Sequence, residues 1–326
     1  MKNDSTQTLQ TVTMHKQSKE ISGLYVLKAI CAYFVVAIHF SSFVYDYSFL
    51  IVTVRAAVPC FFLITGYFLY SNERCIEIKK IFSWIKKIAI LIFLLNSFYY
   101  IYDHSKLPTI ESILQSFVHG YEHLWYLTSL LHGLFIYLLL RICFSDKIIC
   151  IFPLLVYALL VADQLNQVIV PMPLNGLFVA LVYIGLGYAI SKYKHKLKNR
   201  IFYCVLYAIS IAFYYIFYKI DQSCFLLLIL ALFVNISFFC SFLKSDFSAK
   251  NPLVYIGKMH ASNIYYFHMF VPHIMGFTLF HLLNYKYYPD YAAPLYIGCI
   301  IFSCVLLYSK CFVLFLYKKI QKCFKV

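Results

Sequence analysis

A chain of 326 residues that is 63% hydrophobic and only 13% charged carries far more apolar surface than a soluble core can use. Its mean hydropathy of +0.77 says the same. The formal net charge of +15 invites a nucleic-acid reading, but the cations recur between apolar runs instead of forming one basic face, which argues against it.

Runs of about 20 apolar residues separated by short polar loops predict an all-α, polytopic transmembrane bundle. Ten spans are expected, near residues 24–44, 52–71, 82–102, 124–144, 147–163, 174–191, 201–219, 224–243, 261–283 and 292–317. Residues 1–22 read as a disordered cytoplasmic lead and 23–326 as one membrane-embedded domain. A cleaved leader is not expected, because the first apolar run is long, lacks a small-x-small site and contains Lys28 and His39. With the N-terminus inside, every Lys and Arg except Arg55, Lys106, Lys219 and Lys286 falls on the inner side, so both termini are expected in the cytoplasm. The charge is then a topology signal, with anionic lipid headgroups of the bilayer as its secondary contact. The twelve cysteines form no C-x-x-C pair and read as buried thiols, with no metal site expected.

In chain order, the first span holds Lys28 and His39, separated by roughly 16 Å of helix rise. Lys28 can snorkel to the inner boundary while His39 lies beyond the bilayer centre. The second span has Arg55 near its outer end and Pro59, Thr65 and Gly66 within it, a combination that frees carbonyls and permits close helix approach. The third opens on Trp84, Lys86 and Lys87, cations that either anchor the inner face or hold phosphates of a cytoplasmic donor. The longest outer loop, Asp103 to Tyr121, contains Pro108 and is long enough to shape an entrance. His119, Glu122 and His123 follow at the outer mouth of the fourth span, just before Trp125 and Tyr126. Lys258 and His260 read as inner-face loop residues before the ninth span, in which His268 lies near the midplane and His273 further out.

An ionisable group inside a span is a functional-site hypothesis by default. A histidine base, an arginine, a carboxylate and a second histidine, all in the outer half of the bundle, are what an intramembrane acid–base site requires. Each also has a structural reading. A membrane histidine often only bonds a neighbouring helix, Arg55 can snorkel, and His123 with Trp125 can belong to an aromatic belt. Glu122 can be a solvated span end.

Taken together these stretches resemble the acyltransferase-3 family of integral-membrane acyltransferases. Its first-span pattern of a basic residue, ten residues and a histidine is similar to Lys28 through His39. Its second-span signature resembles Arg55 through Tyr67, its next basic cluster resembles Lys86 and Lys87, and its His-Leu-Trp-aromatic-Leu stretch matches His123 to Leu127. Its Gly-Lys and Ser-x-Ile-Tyr-x-x-His blocks match Gly257-Lys258 and Ser262 to His268. The blocks occur in family order over most of the chain. The family pattern has arginine at the places of Lys28 and of Lys86 and Lys87; lysine keeps the charge but loses the planar bidentate contact.

The resemblance implies an O-acetyltransferase of the bacterial inner membrane, moving acetyl from cytoplasmic acetyl-CoA to a hydroxyl of a surface polysaccharide or a lipid-linked glycan. It implies His39 as general base or as an acyl-carrying nucleophile, with His268 and Arg55 orienting the acceptor or steadying the oxyanion. Lys28, Lys86 and Lys87 are the expected donor contacts, and His123, Glu122 and Trp125 the expected acceptor contacts. A transporter or flippase for a glycolipid or small metabolite is the alternative, since intramembrane charges also line substrate paths; the residues leave the oligomeric state open.

Overall fold

The computed structural model describes residues 21–40, 48–102, 109–166, 172–220, 225–275 and 292–323. Most of the polar lead, Lys106, Pro108 and Lys286 lie outside the described residues, as do the side chains of Glu122 and His273. Among the described residues every regular element is a helix. In chain order they are α1 Ser22–Phe40, α2 Ser48–Arg55, α3 Ala57–Leu69, α4 Arg74–Tyr102, α5 Ile110–His119 and α6 Trp125–Cys143. They continue as α7 Asp146–Asn166, α8 Met172–Lys192, α9 Arg200–Ile220, α10 Leu226–Leu243, α11 Pro252–Met259, α12 Ala261–Phe267, α13 Val271–Met275 and α14 Ala292–Cys323.

Seven segments among the described residues are long and apolar enough to cross a membrane: Ser22–Phe40, Leu50–Leu69, Arg74–Ile101, Trp125–Cys143, Arg200–Ile220, Leu226–Leu243 and Ala292–Cys311. The chain is therefore a multi-pass membrane protein. Of the other three expected spans, two fall on α7 and α8, and the third, 261–283, falls on α12 and α13, with its residues 276–283 outside the described residues.

α1 is the central helix, packed against α3, α10, α11, α12 and α14. Leu24, Leu27, Cys31 and Val35 of α1 are buried in the main core with Phe62 and Leu63 of α3. α3 and α8 lie closer than ordinary side chains allow. A Cβ built on Gly66 would stand 1.9 Å from the Ile184 carbonyl oxygen, and one on Gly187 would stand 2.2 Å from that of Leu63. Lipid gives apolar helices little reason to associate, so such backbone approach supplies the dispersion contact that holds the pair.

On the Lys28 side of the bundle five chain segments meet in one ionic network. Glu77 is fully buried and pairs with the Arg141 Nε. Arg141 also donates to Asp146 Oδ1 at 2.5 Å, and Lys192 donates to Asp146 Oδ2 at 2.7 Å. The Ser71 amide donates to Glu77 Oε1 at 2.6 Å. The network thus joins the ends of α3, α6 and α8 to the starts of α4 and α7. The Lys192 ammonium bonded to Asp146 holds its carboxyl below the usual carboxylate range. Its share of stability is present at neutral pH and is lost only as pH falls through that lowered value.

Gly66→Ala should lower the unfolding midpoint of the detergent-solubilised protein by roughly 5 °C or more, because the added carbon meets backbone that cannot yield cheaply. Gly133→Ala is the comparison: its nearest neighbour is the flexible Ile184 Cδ1, at 3.0 Å. Equal midpoints for the two variants in a dye-based melt would remove the α3–α8 contact as a determinant of stability.

Candidate active site

The run from α11 to α13 is a helix interrupted twice. Asn251 caps α11, its side chain accepting from the Leu253 amide at 2.9 Å, with Pro252 in the first turn. His260 breaks the helix for the first time, and a turn over His268 to Phe270 breaks it again. The second break matters most. The carbonyls of the last turn of a helix have no amide partner further along, and in a bilayer they must find one in protein.

Those carbonyls are taken by side chains. The Tyr265 oxygen accepts from His268 Nδ1 at 2.7 Å. The Tyr266 oxygen accepts from the Tyr99 hydroxyl at 2.7 Å, with His123 Nε2 at 3.4 Å. Tyr265 in turn donates its own hydroxyl to the His123 carbonyl at 2.6 Å. His123 reaches this position because Gly120, at φ 80°, ends α5 and lets the 3-10 turn Glu122–Leu124 fold back before α6. A Cβ on Gly120 would sit 2.6 Å from the Trp125 amide.

Three imidazoles therefore converge. His39, at the end of α1, has its ring centroid 5.1 Å from that of His268, which lies 5.0 Å from that of His123. His268 and His123 are buried, while His39 is exposed. A carbonyl can only accept, so the nitrogen facing it carries the hydrogen. His268 is thereby the Nδ1–H tautomer and His123 the Nε2–H tautomer. The opposite nitrogens, His268 Nε2 and His123 Nδ1, are buried acceptors without a hydrogen-bond partner among the described residues. Their lone pairs suit a donor such as a hydroxyl. For the same reason neutral His268 cannot donate from Nε2, so it can orient a hydroxyl but not steady an oxyanion. Among the described residues no group of His, Cys, Asp and Glu is placed to hold a metal ion.

On the Lys28 side of the imidazoles lies a cavity of about 470 Å³. Lys28, Trp84, Tyr126, Ser262, Tyr265 and Tyr266 are on its wall. Gly257 lies against the Tyr25 carbonyl, which sets a common level for α1 and α11. Counted from there at 1.5 Å per residue, Lys28 stands roughly 4 Å up, Tyr265 roughly 12 Å, His268 roughly 16 Å and His39 roughly 21 Å. The cavity thus runs from an ammonium to a tyrosine, and the imidazoles begin beyond that tyrosine. The Tyr265 ring is common to both spaces, 5.9 Å from His268.

The remaining sequence-derived candidates are placed as follows. Arg55 is exposed at the end of α2, within electrostatic range of Tyr214 on α9. Lys86 and Lys87 are exposed on α4, and it is Trp84 and Ile88 of that helix that reach the cavity. Trp125 is 37% exposed and points towards Gly176 of α8, whereas its neighbour Tyr126 lines the cavity. Sequence reasoning did not single out Tyr99, Tyr265 or Tyr266. Tyr266 acts through its backbone carbonyl, which any residue carries, and Tyr265 through both its carbonyl and its hydroxyl; Tyr265 is the tyrosine of the Ser-x-Ile-Tyr-x-x-His block, a signal that could have marked it.

A membrane-embedded helical bundle with a cavity below a cluster of intramembrane histidines defines the general class. A family model described as an acyltransferase domain matches residues 21–308. The chain belongs to the acyltransferase-3 family and is a membrane acyltransferase. No curated protein and no solved structure gives a match.

The two locked tautomers are directly observable. In protein carrying ¹⁵N-labelled histidine, His268 should resonate as the Nδ1–H form and His123 as the Nε2–H form at neutral pH, assigned by single His→Gln substitution. The same tautomer at both positions would contradict the carbonyl contacts described above.

Proposed function

We propose that this acyltransferase moves acetyl from acetyl-CoA to a hydroxyl of a surface polysaccharide or its lipid-linked precursor. In this reading the Lys28 side faces the cytoplasm of a bacterial cell, both termini lie there, and the bundle crosses the inner membrane. The observation that carries it is the juxtaposition across Tyr265: a cavity with an ammonium at one end and an imidazole cluster just past the other. Family membership favours group transfer over transport or flipping.

The donor enters with its thioester leading and its phosphates behind, near Lys28. Lys86 and Lys87, exposed on α4, lie on the approach and not in the cavity. The acceptor hydroxyl arrives from the opposite side, where His39 is exposed. His39 takes the hydroxyl proton as the oxygen attacks the thioester carbonyl, and the carbon–sulfur bond then breaks. The proton passes to the departing thiolate, so the products are an acetyl ester and free CoA. His268, with its Nε2 lone pair buried beside His39, accepts from the acceptor hydroxyl and orients it. Arg55, Glu122, His123 and Trp125 are the proposed surroundings of the acceptor.

His39→Gln keeps polarity and removes the base. It should reduce glycan acetylation by about 10²–10⁴-fold with acetyl-CoA affinity largely retained. Activity within a few-fold of the unmodified chain would make His39 a packing residue. Lys28→Ala should weaken acetyl-CoA binding by roughly 10–100-fold in calorimetry, the worth of one charge-assisted contact, and Lys28→Arg should preserve it. Unchanged affinity in both variants would take Lys28 out of the donor site.

A further inference from the structure

Two ammoniums meet on one aromatic ring at the inner end of the cavity. Tyr25 and Lys28 stand three residues apart on α1 and so share a face of that helix. Lys28 Nζ lies 5.9 Å from the centroid of the Tyr25 ring, and Lys258 Nζ lies 5.7 Å from the same centroid. The two charges are thus at most about 12 Å apart. Lys258, expected in a loop, belongs to α11, and the preceding residue brings that helix in. Gly257 has no side chain to hold α11 off the Tyr25 carbonyl; a Cβ there would stand 1.7 Å from that oxygen. Lys28 is partly buried and lines the cavity, whereas Lys258 is exposed and lies one helical turn before Ser262, which lines it. On the axial scale used above Lys258 stands roughly 2 Å up, below Lys28. Like charges repel, and the negative face of one ring offsets only part of that. Two cations gathered at the end of a cavity suit a ligand that carries more than one anionic group.

We propose that Lys258 is a second donor-binding residue, holding the 3′-phosphate of CoA while Lys28 holds its diphosphate. The proposal rests on the acetyl-CoA reading above. About thirteen bonds separate the sulfur of CoA from the nearer phosphorus of its diphosphate, and an extended chain of that length spans roughly 15 Å. Lys28 and His39 are separated by roughly 16 Å of helix rise, so a diphosphate at Lys28 leaves the thioester beside the imidazoles. From the diphosphate about six further bonds, roughly 7 Å, lead through the ribose to the 3′-phosphate. That reach lies within the span between the two ammoniums. It carries the second phosphate away from the cavity, to where Lys258 is exposed. A phosphate monoester offers three strong acceptor oxygens, and a lysine meets it as a point charge with three rotatable donors. The second contact thus comes from α11, whose approach to α1 is set by Gly257. Loss of the 3′-phosphate should therefore cost affinity only while Lys258 is present.

Calorimetry on the purified full chain in detergent, at low ionic strength, compares CoA with 3′-dephospho-CoA. The unmodified chain should bind CoA roughly 10–100-fold more tightly, the worth of one charge-assisted contact. Lys258→Ala should weaken CoA by at least about tenfold, leave 3′-dephospho-CoA within about twofold and so erase the preference. Lys258→Gln keeps part of the stem against Tyr25; it should do the same and covers the case in which the alanine variant does not fold. Lys258→Arg should keep the preference. Lys28→Ala should weaken both ligands by a similar factor, since it removes the partner of the phosphates they share. Equal affinities for the two ligands in the unmodified chain would overturn the proposal. So would a preference that survives in Lys258→Ala or Lys258→Gln, whether affinity is unchanged or falls equally for both ligands as a general charge effect. In these cases the acetyl-CoA reading stands. Failure of the unmodified chain to bind CoA or acetyl-CoA would overturn that reading and the role of Lys258 together.

Discussion

Backbone carbonyls released inside a bilayer must be satisfied by protein, and the site depends on how this chain meets that demand. The break after Phe267 frees the Tyr265 and Tyr266 oxygens at the level where α1, α4 and α6 converge. Two imidazoles and a tyrosine hydroxyl occupy them. Each such contact orients a side chain and assigns it a hydrogen. What would be a defect in an uninterrupted span thereby becomes the frame of the site.

The rest of the bundle keeps that frame rigid. The α3–α8 pair locks backbone to backbone at Gly66 and Gly187, and the network around Glu77 and Arg141 ties the helix ends on the Lys28 side. α9 is peripheral, with 11% of its apolar window buried, and serves mainly as a lipid-facing wall. Precision is therefore concentrated around α1, α3, α6, α8 and the broken run, the elements that carry or support the cavity and the histidines.

Much of this was legible in the sequence. Apolar length marked the lipid-crossing helices, because lipid exposure demands hydropathy along the whole segment. The α11–α13 run departs from a plain apolar span because its breaks free carbonyls that side chains must take. Within the candidate site, the placing of Lys28 and His39 at two levels of one helix was readable from their spacing. The meeting of His39 with His268 was not, since it depends on how α12 packs on α1. His123 was expected at a mouth; the turn made possible by Gly120 brings it into the interior. Trp125 was read as an aromatic-belt or acceptor residue, yet helical phase turns its neighbour Tyr126 to the cavity. Lys86 and Lys87 were picked by charge, which says nothing of the face they occupy.

The opposed tautomers also limit how many protons the cluster can store. Both buried imidazoles have already committed one nitrogen to a carbonyl, so each can take a further proton only at its inner nitrogen. Two imidazolium charges 5.0 Å apart would repel by about 3 kcal/mol at an effective dielectric constant of 20. The buried pair therefore has no room for two charges, and His39 is the imidazole that takes the hydroxyl proton. In the proposed reaction that proton has one useful destination, the sulfur that leaves. A catalytic cycle that failed to deliver it would leave the site charged and unable to accept the next, so acceptor activation and thiol release are coupled by the capacity of the cluster itself.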